Sequence, residues 1–199
     1  MQKTIILVLI IALASCNSSE DKEIQPVPDS SAYVPEIDKV DTILSPETFK
    51  FFTKPEAQVS KDKFQMVNTW KEDSMLISEF NTTKNFVDKY RELLRFSPDS
   101  THFIDLGSYN VEVETDSKGN KIYQDIGPDI EISLVSLNDK KRTRLIFLGP
   151  GSIIDDAGWI NNETAIIAGR QARPNGTDFY RVIWKYHLPT NTFYMYESQ

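Results

Sequence analysis

From residue 42 onward the apolar positions mostly alternate with polar ones, and β-branched and aromatic side chains sit between short clusters of turn-forming residues. That period of two predicts strands over 64–70, 75–80, 101–106, 109–115, 121–125, 130–137, 142–148, 157–160, 164–169, 180–188 and 192–196. Lys71-Glu72-Asp73-Ser74 separates the first two and reads as the turn of a hairpin. Asp116-Ser117-Lys118-Gly119-Asn120, Asn138-Asp139-Lys140-Lys141, Asn161-Asn162 and Pro189-Thr190-Asn191 mark further turns, and Gly149-Pro150-Gly151 breaks the chain. One stretch changes period. Phe86, Val87, Tyr90, Leu93 and Leu94 fall on one stripe of a helix predicted over 83–95, stopped by Ser97-Pro98. Short strands at even spacing with tight turns predict a mainly β fold, an antiparallel meander with one short helix.

The first residues carry a different pattern. A lysine at position 3 precedes an apolar run over 5–13, and Leu13-Ala14-Ser15 leads into Cys16, the one cysteine of the chain. The run falls short of the ~20 apolar residues of a membrane-spanning helix but suits the core of a signal peptide. Small residues before the cysteine resemble the lipobox of bacterial lipoproteins. That resemblance implies cleavage of residues 1–15 as a lipoprotein signal peptide and lipidation of Cys16, which becomes the anchored N-terminus. Acyl chains contribute about 0.8 kcal/mol per buried CH₂, and two chains already give stable anchoring. The plainer alternative is an ordinary secretory leader with a chance cysteine near its end.

Residues 16–41 then read as a lipidated, flexible tether. They are rich in serine and charge, and Pro26, Pro28 and Pro35 deny them a helix or a central strand. Glu20-Asp21 soon after the cysteine is similar to the surface-export signal of Bacteroidota lipoproteins, so the expected location is the bacterial cell envelope, at the outer membrane, facing the periplasm or the surface. The β-rich globular domain is expected over 42–199.

Two stretches of that domain look internally related. Phe96-Ser97-Pro98-Asp99-Ser100-Thr101-His102-Phe103 resembles the opening of a β-propeller blade, and Trp159-Ile160-Asn161-Asn162-Glu163-Thr164-Ala165-Ile166 holds the same place later. Each is followed by a strand, a polar turn and a strand. Two blades cannot close a ring, which takes at least about four. The resemblance therefore implies two blade-like sheets packed against each other, with residues 49–95 covering an edge.

Composition narrows the function classes. With 40% hydrophobic and 11% aromatic residues the chain can build a real core. Its net charge of −7 repels phosphate backbones, so no nucleic-acid partner is expected. Once Cys16 is lipidated no cysteine remains for a disulfide.

Candidate chemistry is sparse. His102 and His187 lie on predicted strands with no HExxH, HxH or neighbouring cysteine, and read as half-buried strand residues rather than ligands or bases. Asp155-Asp156 lies in a predicted Gly-flanked loop, with Asp125 and Asp129 in another; such carboxylates collect Ca²⁺ or simply shape turns, and no Asp-x-Asp-x-Asp-Gly pattern is present. Ser152 lacks a nucleophile elbow. Lys140, Lys141, Arg142 and Arg144 form a basic tip, read mainly as a solvated hairpin end. Tyr180, Val182, Trp184 and Tyr186 share one face of a predicted strand, near Trp159, Tyr194 and Tyr196, and read as sheet core, a sugar- or protein-binding face being the alternative.

No catalytic, cofactor-binding or metal residue follows from this pattern; the one assigned site is lipidation at Cys16. The expected function is that of a membrane-anchored envelope lipoprotein acting as a non-enzymatic binding or assembly module. Its expected partners are the membrane, through the anchor, and an envelope protein or glycan. Two alternatives stand beside it. One is a carbohydrate- or peptide-acting hydrolase whose carboxylates converge only in the fold; the other is an immunity or inhibitor protein.

Overall fold

The computed structural model describes residues 43–58, 63–174, 176 and 178–199, all within the unit Ile37–Gln199. The expected signal peptide, the expected tether and Cys16 lie outside the described residues.

Among the described residues, twelve strands and one α-helix follow a 3-10 turn at Pro46–Phe51: β1 (Phe64–Lys71), β2 (Ile77–Glu79), α1 (Lys84–Tyr90), β3 (Leu94–Phe96), β4 (His102–Asp105), β5 (Val111–Thr115), β6 (Lys121–Asp125), β7 (Ile130–Ser136), β8 (Lys141–Leu148), β9 (Ser152–Asn161), β10 (Thr164–Ala172), β11 (Phe179–His187) and β12 (Thr192–Ser198). They form two five-stranded antiparallel sheets and a two-stranded ribbon, β5-β6. The strand orders are β1-β12-β11-β10-β9 and β2-β8-β7-β4-β3. Both sheets are therefore the same object. Each is a four-strand meander with an earlier strand added outside its last member, and the second carries the ribbon as an insertion between β4 and β7. The two blade-like sheets expected from the sequence are present.

The sheets share one core. Ile104, Ile132, Leu134 and Leu145 from one meet Ala157, Ile167, Val182, Trp184, Tyr186 and Phe193 from the other. Each outer face has its own cover. Leu44, Phe49, Phe52 and Ala57, around the first 3-10 turn, pack with Ile166, Ala168, Ile183 and Tyr196. Phe80 and the α1 residues Phe86, Val87 and Tyr90 pack on Leu94, Phe103 and Val135. Stacked repeats need terminal caps, because a repeat without a neighbour leaves an apolar face in water. Here both outer faces of the two-sheet core are covered in this way.

The cover over β9 is close. A Cβ on Gly158 would sit on the backbone carbonyl of Phe51, so only glycine lets the 3-10 turn approach this strand.

Three expectations need correction. The strands over 64–70 and 75–80 do not form a hairpin: β1 pairs with β12 in one sheet and β2 with β8 in the other. The turn signal between them marks a crossing from sheet to sheet. These strands extend the two sheets at an edge, whereas the other apolar parts of 49–95 cover faces. The helix is shorter than predicted. Thr83 caps it, its Oγ1 accepting from the Phe86 N–H at 3.1 Å, but after Tyr90 a 3-10 turn, Arg91–Leu93, hands the chain to β3. Leu94 pairs with Asp105 in the sheet, and that pairing ends the helix before Pro98 is reached. Finally, the predicted loop at 151–158 is mostly strand, since β9 begins at Ser152 and pairs with β10.

Candidate functional site

The shortness of β3 opens a cleft between the sheets. Strand β9 runs ten residues along the end of its sheet, whereas β3 has three. Arg95 and Trp159 join the two strands: Arg95 Nε donates to Asp156 Oδ1 at 2.7 Å, and Trp159 Nε1 donates to the Arg95 carbonyl at 2.8 Å. The first residues of β9 extend past this joint. Ser152, Ile153 and Ile154 form one wall of a cleft of about 430 Å³. Ile130 and Glu131 of β7 line it, together with Leu106, Gly107, Asn110 and Val111 around the β4–β5 connection. The β6–β7 connection adds Asp125, Gly127, Pro128 and Asp129, and Leu93 and Lys54 complete it.

The walls are held firmly. Asn110 braces the β6–β7 connection, its carbonyl accepting from the Ile126 N–H at 2.9 Å and its side-chain amide donating to the Asp129 carbonyl. Gly127 fits against that amide, where a Cβ would come within 2.9 Å of Asn110 Nδ2.

Behind the cleft lies a buried charge network. Asp105 accepts from the Gly107 and Ser108 N–H groups at 3.1 and 2.8 Å, and Arg142 Nη2 lies 3.0 Å from its other oxygen. Glu131 accepts from Ser133 Oγ at 2.8 Å and from Arg144 Nη2 at 2.6 Å. The Arg142 guanidinium also lies over the Phe80 ring at 5.3 Å. Burying such ions costs several kcal/mol each, of order what their pairing returns, so the network fixes geometry more than it adds stability.

Two carboxylates in the cleft stand apart from it. Asp125 is exposed and Asp129 half-buried, and among the described residues neither has an ion-pair partner.

The other sequence candidates fall elsewhere. Asp155 and Asp156 shape no turn: they are buried on β9 at a bulge, where the register slips between Ala168 and Gly169 of β10. A bulge re-aims side chains. Here Asp155 holds Arg170 with Nη2 at 2.6 Å and Nε at 3.0 Å, while Asp156 meets Arg95, Thr53 and Lys54. The basic tip is split. Lys140 and Lys141 are exposed, but Arg142 and Arg144 belong to the charge network, so a wholly solvated tip is overturned. His102 and His187 are half-buried, their Nδ1 atoms 2.8 and 2.9 Å from Thr101 Oγ1 and Thr190 Oγ1. Ser152 lines the cleft, and among the described residues no base is hydrogen-bonded to its hydroxyl. Trp159, Trp184 and Tyr186 are core residues, Tyr196 is buried under the first 3-10 turn, and Tyr180 and Tyr194 pack at the margins. The Tyr186 hydroxyl donates to Asn191 Oδ1 at 3.0 Å, and burial pushes its pKa up to about 12. Among the described residues no group of three or more His, Cys, Asp or Glu side chains gathers as a metal site.

No protein-family model, no curated protein and no solved structure matches the chain.

Proposed function

We propose that this protein is a lipid-anchored envelope lipoprotein that works as a non-enzymatic binding or assembly module, and that the β9 cleft is its binding site. The observation that supports this most is the pairing of a braced concave wall with unengaged groups at its mouth. Glu131 is committed to Arg144 and Ser133, while Asp125, Asp129 and the exposed Ile153 are available. A preformed cleft with apolar surface and a few polar groups is what a binding site requires. The likeness of Leu13-Ala14-Ser15-Cys16 to a lipobox supports an anchor that would hold the domain at a membrane.

A photo-crosslinking residue at Ile153 of the full-length chain in its envelope tests the site, with Val67 on the far edge strand as control. A product from Ile153 and none from Val67 is expected; equal products, or none, would remove the cleft from consideration. In the same cells Cys16→Ser should abolish labelling by a palmitate analogue and leave an uncleaved precursor. Undiminished label on that variant would rule out the anchor.

A second reading, the carbohydrate- or peptide-acting hydrolase, draws on one observation: Asp125 and Asp129 line the same cleft. Paired carboxylates about 5–10 Å apart across a substrate carry glycoside hydrolysis. Turnover of a glycan or peptide that disappears in Asp129→Asn, with binding retained, would bring this reading forward.

A further inference from the structure

We infer that the cleft takes an extended basic peptide, which adds to β9 as a further strand; the inference rests on the proposed binding role of the cleft. Strand β9 ends its sheet, so β10 satisfies one of its edges. The other edge is shielded by β3 only from Asp156 onward, where Arg95 and Trp159 make the joint. The stretch Ser152–Ile154 is left open to the cleft.

The phase of the ladder shows which backbone groups face out. The Ala172 N–H donates to the Gly151 carbonyl at 2.8 Å, and the next pairs are Ser152↔Gln171, Ile153↔Arg170 and Ile154↔Gly169. Antiparallel pairs alternate between hydrogen-bonded and non-bonded. Ser152 and Ile154 therefore turn their N–H and C=O groups to the open edge, while those of Ile153 serve β10. Edge strands are commonly protected by lysine, proline or a bulge. This one has its bulge at Asp155, past the open stretch, and neither lysine nor proline within it. A free edge with side-chain pockets is the setting for strand addition.

Charge selects the occupant. Asp125 and Asp129 lie unpaired beside the edge, and Lys54 is the one cation among the described lining residues. A basic strand gains from this field and an acidic one is repelled. The chain's own residues 17–41 carry seven carboxylates against two lysines, so they are poor occupants. A sugar ring favours an aromatic face, and no aromatic side chain is among the described lining residues.

The test uses the full-length chain in detergent and an eight-residue peptide alternating valine and lysine, titrated by calorimetry. Two N-methylated forms carry the methyl groups on one or the other alternate set of amides. A strand pairs through one edge at a time, so one form should lose binding at least about tenfold and the other retain it. Replacing lysine by glutamate should weaken binding by about tenfold or more, as should Asp125→Asn with Asp129→Asn, at unchanged melting temperature. Amide exchange at Ser152 and Ile154 should slow on binding while that at Ile153 stays as it was. Equal binding of the acidic and basic peptides, of both methylated forms, or unchanged exchange at Ser152 and Ile154 would overturn the inference. If no peptide binds yet Ile153 crosslinks in the envelope, strand addition fails and the binding role stands. If neither occurs, both fail.

Discussion

An Asp156→Ala chain should lose about 3–5 kcal/mol of stability, a large share of the ~5–15 kcal/mol a domain holds. The carboxylate is fully buried and collects donors from three residues in two distant parts of the chain. Its Oδ2 accepts from the Thr53 N–H at 2.6 Å, Thr53 Oγ1 at 2.9 Å and the Lys54 N–H at 2.8 Å, and its Oδ1 from Arg95 Nε at 2.7 Å. Alanine would strand a mostly buried guanidinium and two backbone donors together. The pH dependence follows from the same contacts. Burial pushes this carboxyl up, but the Lys54 N–H, the Arg95 guanidinium and the Thr53 donors outweigh it and hold it below its ordinary value of 3.8. Its contribution is thus complete above that ordinary value and is lost as pH falls through the depressed folded one. Thermal melts should show a wide gap between parent and variant at pH 7 that narrows below pH ~4. Coincident melts at pH 7 would remove Asp156 as the joint between β9, β3 and the N-terminal cover.

Trp184→Ala should cost about 3–5 kcal/mol as well, here through a cavity. The indole is 3% exposed and sits in the core shared by the two sheets. Lys185, the next residue, points the other way, its Nζ 5.7 Å from the centre of the Tyr194 ring. Lys185→Ala should therefore cost no more than about 1 kcal/mol. Thermal unfolding of the two variants side by side checks the assignment. A Trp184→Ala protein as stable as its parent would move this ring out of the core.

Local signals served where partners are near in sequence. The strands over 130–137 and 142–148 appear as β7 and β8 because alternation and the intervening turn lie within one hairpin. The two antiparallel meanders were legible for the same reason, since each sheet is built mainly from consecutive strands. The errors concern distant partners. Lys71-Glu72-Asp73-Ser74 announces a turn but cannot say that β1 turns toward β12. Asp155-Asp156 looked like a loop because adjacent acids between glycines suit one. Their neutralising arginines lie 15 and 61 residues away, and pairing with them is what allows both acids inside a strand. The cleft was not legible: Asp125 and Asp129 read as turn-shaping or Ca²⁺-collecting carboxylates, and the open edge depends on how far β3 reaches along β9, which no local pattern encodes.

The seam between β1 and β12 also sets when the fold can be completed. Thr69 Oγ1 donates to the Phe193 carbonyl across 124 residues, and Trp70 stacks on the Phe193 ring at 5.0 Å. Joining such remote segments pays loop entropy before any contact repays it, so it comes late and slowly. β1 cannot find its place until β12, more than 120 residues further along, has been made. Trimming β12 would in turn bare one edge of β1 and one of β11, adding two sticky edges to those at the ends of the sheet.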